Sequence, residues 1–255
     1  MRQPVIFFGH GNPMHALGGP VAQAWRAIGG NLERPKAILM ISAHWFIGGV
    51  AVTAMERPRT IHDFGGFPDE LFAVQYPAPG APTLAARVQD LLGPDLVSAD
   101  TDWGLDHGTW CVLKHLFPLA DVPVVQLSLD RRQDPQFHFD LAQRLTSLRD
   151  EGVLIAGSGN IVHNLGLARW NAGAAPYPWA ERFHAEVKAR IAAGDDRALI
   201  DYMTLGEHAR LSVPTPEHYL PLLYVLGVRR SGETPAFFTD ALDTGSISML
   251  GFRLG

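Results

Sequence analysis

Short unbroken apolar runs alternate with stretches of helical spacing along this chain. Residues 5–8 and 37–41 are continuous hydrophobic segments rich in aromatic or β-branched side chains, each ending in small residues, which is how strands buried on both faces read. Between them, residues 21–28 carry helical spacing and Gly29-Gly30 supplies a stop, so the first forty residues predict a strand–helix–strand crossover. The same reading predicts strands over 50–55, 123–129 and 153–157, and helices over 83–92, 135–148 and 179–193. A helical segment follows around 216–226, and residues 246–254 alternate like a terminal strand. Alternating helices and strands without a linker, repeat or low-complexity tract predict a single α/β domain over residues 1–255.

Composition narrows the class. With 21 Lys and Arg against 26 Asp and Glu, the net charge is −5, which argues against a nucleic-acid partner. A hydrophobic fraction of 47% excludes wholesale disorder, and no apolar run approaches the roughly 18 residues of a membrane span. The single cysteine, Cys111, forbids an intramolecular disulfide and a cysteine-based zinc site. A soluble protein of the cytoplasm, working without a membrane as a monomer or homodimer, is the expectation.

The chemistry lies in where the histidines stand. His10, in Phe8-Gly9-His10-Gly11-Asn12-Pro13, follows the first predicted strand, and His44, in Ser42-Ala43-His44-Trp45, follows the second. Carboxyl ends of parallel strands share one sheet edge, where ligands bind, so two imidazoles 34 positions apart in sequence can converge. His163, in Gly159-Asn160-Ile161-Val162-His163-Asn164, follows another predicted strand and can add a third ligand. His218, in Pro214-Thr215-Pro216-Glu217-His218-Tyr219, reads equally as a ligand or as a helix-start residue, and Glu217 as a first-turn acid. His107, in Asp106-His107-Gly108-Thr109-Trp110, reads as a proton acceptor kept neutral by apolar surroundings or as a structural histidine in a turn. His62 and Asp63, before Phe64-Gly65-Gly66-Phe67-Pro68, form an expected rim in contact with a flat ring, or an ordinary loop.

Other motifs fail. Gly9-His10-Gly11 lacks the third glycine of a dinucleotide loop, and Pro13 is awkward where a helix should receive a pyrophosphate. Ser158 lies between two glycines, but Ala156 and Asn160 occupy the places where a nucleophile elbow needs glycines.

Taken in order, Gly9-His10-Gly11-Asn12-Pro13-Met14, Ser42-Ala43-His44-Trp45-Phe46, Ile61-His62-Asp63-Phe64-Gly65-Gly66-Phe67-Pro68, Asp106-His107-Gly108, Gly159-Asn160-Ile161-Val162-His163-Asn164 and Pro214-Thr215-Pro216-Glu217-His218-Tyr219 strongly resemble the DOPA 4,5-dioxygenase family. That family lies within the class III extradiol ring-cleavage dioxygenases. The resemblance spans nearly the whole chain and departs at Asn12, where many relatives have Ser. It implies an α/β fold with a central mixed, largely parallel sheet flanked by helices. It also implies a mononuclear metal and O2-dependent opening of a catechol such as DOPA to a semialdehyde. The metal ligands it implies are His10, His44 and His163, with His218 rather than Glu217 as a fourth ligand or near neighbour, and His107 as acid/base. Fe(II) is the expected metal for oxygenation, and Zn(II) competes for the same nitrogen site. The competing readings are a zinc-dependent hydrolase and a non-catalytic metal-binding protein.

Overall fold

The apolar run after the N-terminus forms strand β1 (Val5–Gly9), and helix α1 (Pro20–Gly30) carries the chain across to β2 (Ala37–Ile47) in the computed structural model, which describes residues 2–171 and 173–255. There follow β3 (Val50–Thr53), the one-turn α2 (Asp69–Phe72), α3 (Pro82–Leu92), β4 (Val97–Asp100), α4 (His107–Leu116), β5 (Val124–Asp130), α5 (Pro135–Gln143) and β6 (Val153–Gly159). The last third holds α6 (Pro178–Ala193), α7 (Asp196–Ile200), α8 (Glu207–Ser212), α9 (Leu220–Gly227), β7 (Pro235–Phe238), β8 (Leu242–Asp243), β9 (Ile247–Ser248) and β10 (Gly251–Leu254).

Eight strands form one sheet in the order β4-β3-β5-β2-β6-β1-β10-β7, and β8 and β9 make a separate hairpin. The centre, β5-β2-β6-β1, is parallel, while β10 and β7 add antiparallel strands at one edge and β3 meets β5 antiparallel on the other side. The mixed, largely parallel sheet and flanking helices therefore agree with the fold expected from the resemblance.

The unbroken apolar runs are explained by burial on both faces. Val5 and Phe7 of β1, with Leu39 and Ile41 of β2, point into a core shared with α3, α5, α6 and α9. Ile6 and Phe8, with Ile38 and Met40, point the other way, under α1 and α4, where Trp25 and Trp110 are fully buried. Moving β1 by one residue would exchange these two sets, so side-chain size on each face fixes its register.

Several predicted boundaries shift. Helix α5 stops at Gln143, short of residue 148, and a tight turn at Thr146–Arg149 follows. The helix predicted around 216 begins at Leu220, leaving His218 in the turn ahead of it. The expected terminal strand divides into β9 and β10. Helix α4 (His107-Gly-Thr-Trp-Cys-Val-Leu-Lys-His-Leu116) is absent from the sequence reading, and nine of its residues are buried.

Strand β2 does not end at Ile41. Its pairing with β5 jumps from Ile41↔Leu127 to Phe46↔Leu129, so Ser42, Ala43, His44 and Trp45 bulge out of register before the strand resumes. A bulge of this kind re-aims side chains at a sheet edge, and here it presents His44.

Candidate metal and active site

Three crossover ends meet at one place. His10 follows β1, His44 rides the bulge of β2, and the chain leaving β6 leads to His163. His107 opens α4 beside them, its helix capped by Asp106, whose carboxylate accepts the Thr109 amide at 3.2 Å. His218 is pressed against the end of β6 at Gly159, where a Cβ would lie 2.2 Å from the His218 carbonyl oxygen. Gly108 is equally constrained, since a Cβ there would meet the Ser42 hydroxyl at 2.5 Å and His44 Cδ2 at 3.0 Å. These two glycines are required by close approach of the elements that carry the histidines.

A cavity of about 230 Å³ collects His10, His44, His107, His163 and His218, with Asp63 at one side. Phe64, Phe67, Leu165 and Ile247 give it apolar walls, and Trp170 stands at its rim, 67% exposed. Burial, reinforced by the neighbouring imidazoles, holds His10 and His218 well below the ordinary histidine range. Burial and His107 bring His44 down to about 3, against an opposing pull from Asp63, and burial brings His163 to about 4. Neutral imidazole is the form that binds a metal.

Hydrogen bonds fix which nitrogen each ring presents. The Ser158 hydroxyl donates to the Gly108 carbonyl at 2.6 Å, so its oxygen is left to accept from His10 Nδ1 at 3.0 Å. His44 Nδ1 lies 3.2 Å from Asp63 Oδ2, and His218 Nδ1 lies 3.2 Å from Glu217 Oε1. In each case the proton belongs on Nδ1 and the Nε2 lone pair is free. The Nε2 atoms of His10 and His44 then face each other 3.0 Å apart, lone pair to lone pair. Two acceptors at that distance repel unless a cation lies between them and their neighbours, so this donor set fits a metal ion.

His10, His44 and His218 form one compact group of possible ligand atoms, all within 4.8 Å of one another. His163 falls instead in an adjoining group with Glu217 and His218, its ring stacked on that of His218 at 3.4 Å between centroids. The four histidines expected at the metal thus line one cavity, arranged as three with a fourth behind the third. Of the pair left open by the sequence, His218 joins His10 and His44, whereas Glu217 supports it and also accepts from Thr215 Oγ1 at 2.8 Å.

Asp63, expected at the substrate, lines the cavity and is also tied to two of its histidines. Its Oδ1 accepts the His107 amide at 2.8 Å and its Oδ2 the His107 Nδ1 at 2.9 Å, with His44 Nδ1 sharing Oδ2 at 3.2 Å. Burial alone would raise this carboxyl, but the bonds from His107 and the nearby His44 outweigh it and leave Asp63 at about 2. An anion is therefore fixed behind His107, holding its proton on Nδ1. His62 Nε2 meets the Val74 carbonyl at 2.9 Å and its ring packs on Phe64, Phe72 and Trp110, next to the residues that line the cavity. It braces the Phe64 loop.

Sequence reasoning missed the layer beneath the imidazoles. Asp106 is fully buried, accepts from Ser42 Oγ at 2.7 Å and from Gln126 Nε2, and is pushed up to about 6 by burial and by the charge of Asp63. An acid two residues before a Gly-Thr pair was a legible helix-cap signal, but Gln126, in mid-strand, had none. Trp170 and Asp243 at the cavity rim likewise carry no motif.

The sequence matches the family described as the catalytic LigB subunit of aromatic ring-opening dioxygenase over residues 5–241. It is similar to a 4,5-DOPA dioxygenase extradiol of Escherichia coli K12, 46% identical over 259 residues that cover 100% of this chain and 95% of the relative. A protein of the same description from Beta vulgaris is 38% identical, over 95% of this chain and 93% of its own. The crystal structure of an uncharacterized Escherichia coli K12 protein superposes with a TM-score of 0.88 at 42% identity, covering 100% of both chains. No helix among the described residues is long and apolar enough to cross a membrane. By sequence, by fold and by the histidines gathered at its sheet edge, this chain belongs to the LigB family of aromatic ring-opening dioxygenases.

Proposed function

We propose that the protein opens the ring of a catechol such as DOPA by extradiol cleavage, inserting both atoms of O2 to give a semialdehyde. The observation that carries this reading is the convergence, in one cavity, of three histidine ring nitrogens and a carboxylate-backed histidine beside an apolar slot. His10, His44 and His218 would hold the metal, proposed as Fe(II), with Zn(II) as the competing occupant. Bound Fe(II) supplies a redox-active centre with open positions at which a diol and O2 can be brought together.

The protein's own groups then have separable tasks. Phe64, Phe67 and Ile247 bury the flat ring and exclude water. His107 accepts a proton from a ring hydroxyl through Nε2, and the charge this leaves on the imidazole is balanced by Asp63 at Nδ1. His163, stacked behind His218 and facing the same cavity, serves as a second proton carrier in this reading.

The test is anaerobic loading with Fe(II), then oxygen with DOPA, following O2 uptake and the semialdehyde chromophore. One O2 consumed per ring-opened product is expected. No uptake by folded, iron-loaded protein across a panel of catechols would overturn the reading, and oxygen-independent ester or amide cleavage by the zinc form would replace it with a hydrolase.

A further inference from the structure

The cavity has two chemically different ends. The imidazoles occupy the deep end, and the rim carries Asp243, Thr244 and Trp170, which also line a shallower groove next to it. Among the described residues no Lys or Arg lines the cavity. The nearest guanidinium along the chain, Arg169, is held to the Ala175 carbonyl at 2.8 Å and lies over the Tyr177 ring at 3.8 Å. Asp63 is committed to His107, which leaves Asp243 as the carboxylate with spare acceptor capacity.

Asp243 is rigidly placed. It ends β8 and pairs with Ile247 of β9, and Ile247 bridges in turn to His163. Two strand spacings, about 10 Å, thus separate the Asp243 backbone from that of His163. Its Oδ1 accepts the Thr244 amide at 2.7 Å, and its carboxylate makes no salt bridge with Lys or Arg among the described residues, though its charge favours the protonated form of the nearby His15 against burial. The Thr244 hydroxyl beside it is buried with no hydrogen-bond partner. Trp170 offers an exposed indole at the same rim, and a carboxylate with an aromatic face is the pairing that binds ammonium groups.

We infer that Asp243, with Trp170 and Thr244, is a specificity site that reads an ammonium group on the arm of the catechol, so that this chain selects amine-bearing catechols. The inference rests on the ring-opening reading for its substrate's catechol end. It goes beyond that reading in what it excludes: no Lys or Arg among the described residues lines the cavity to neutralise a carboxylate, so an amine arm without an acid group is a full substrate and an acid arm without an amine is a poor one. DOPA is accepted through its ammonium.

The experiment uses Fe(II)-loaded protein and four catechols of similar size: dopamine, DOPA, the neutral 4-ethylcatechol and the anionic 3,4-dihydroxyphenylacetate. In wild type, kcat/KM should rank the two amines above the neutral compound and the acid last. Asp243→Asn keeps the oxygen that accepts the Thr244 amide and removes the charge. It should reduce the dopamine to 4-ethylcatechol ratio of kcat/KM by about tenfold, through KM rather than kcat. Asp243→Lys should move the preference toward the acid.

An equal loss on all four compounds in Asp243→Asn, or a wild-type preference for the acid, would overturn the inference. Calorimetric titration of dopamine and of the acid into metal-loaded protein under nitrogen reads the same preference without turnover. Amine-selective binding with no oxygen uptake would sink the ring-opening reading and keep Asp243. Oxygen uptake indifferent to the arm's charge would do the reverse, and binding of neither compound overturns the role given to Asp243.

Discussion

Two regions of this protein set histidines against a carboxylate and a serine, and the one at the sheet edge faces a cavity. At the sheet edge, Asp63 backs His107, and Ser158 backs His10, with the free Nε2 of His10 turned into the cavity. On α6, His184 lies between Ser248 Oγ at 2.9 Å and Asp240 Oδ1 at 2.7 Å, a serine–histidine–aspartate line. Yet Ser248 is wholly buried and its oxygen also accepts the Leu250 amide at 3.2 Å, so no substrate reaches it. Both His184 nitrogens are spent on the protein, which makes this a strap tying α6 to the C-terminal strands. The difference is whether a nitrogen remains unspent and reachable.

The comparison can be broken most severely at His44. His44→Ala removes one of the three converging donors, and metal content after desalting, read by atomic absorption, should fall to near zero together with turnover. His163→Ala should retain most of the metal while losing turnover, and equal metal loss in the two variants would return His163 to the ligand set. Next comes the proton-transfer pair. His107→Ala should keep the metal and lower kcat by about 10²–10⁴. Asp63→Asn, which frees the His107 ring to take the other tautomer, should lower kcat by roughly 10² and shift the limbs of the pH–rate profile. Unchanged kcat in Asp63→Asn would remove its positioning role.

On the structural side, His138 sharpens the contrast through pH. Its nitrogens meet Tyr224 Oη at 3.1 Å and the Asp130 carbonyl at 3.2 Å, and burial, opposed by Asp130, brings it from 6.5 to about 4. Because the unfolded chain binds this proton more readily, stability falls as pH drops below 6.5 and levels off below 4. At pH 5 this histidine alone costs about 2 kcal/mol relative to pH 8. Urea unfolding of wild type and His138→Gln at the two pH values should show that much less pH sensitivity in the variant. The smallest effect belongs to the strap: Ser248→Ala should cost about 1 kcal/mol of stability or less and leave kcat and KM as they were, and a loss of turnover would give this second line a function the geometry denies it.

What the chain determined by itself is the layered architecture and the identity of the chemistry. Unbroken apolar runs at residues 5–8, 37–41 and 153–157 specify strands covered on both sides, because only such strands can bury every side chain. Histidines and glycines just beyond those runs mark the edge where a site forms. Local pattern carries such information, since it depends on period and on neighbours in sequence. It marked the start of α4 only by the Asp106 cap, and gave no sign of the bulge that aims His44. Tertiary structure alone decided that the His163 ring stacks on His218, that Asp63 is bonded to His107, that His62 turns to Val74, and that Asp243 comes to the cavity rim. Each depends on which nitrogen or oxygen is already spent on a residue far away in sequence, and hydrogen-bond partners across such separations are set only when the sheet and its loops close around them.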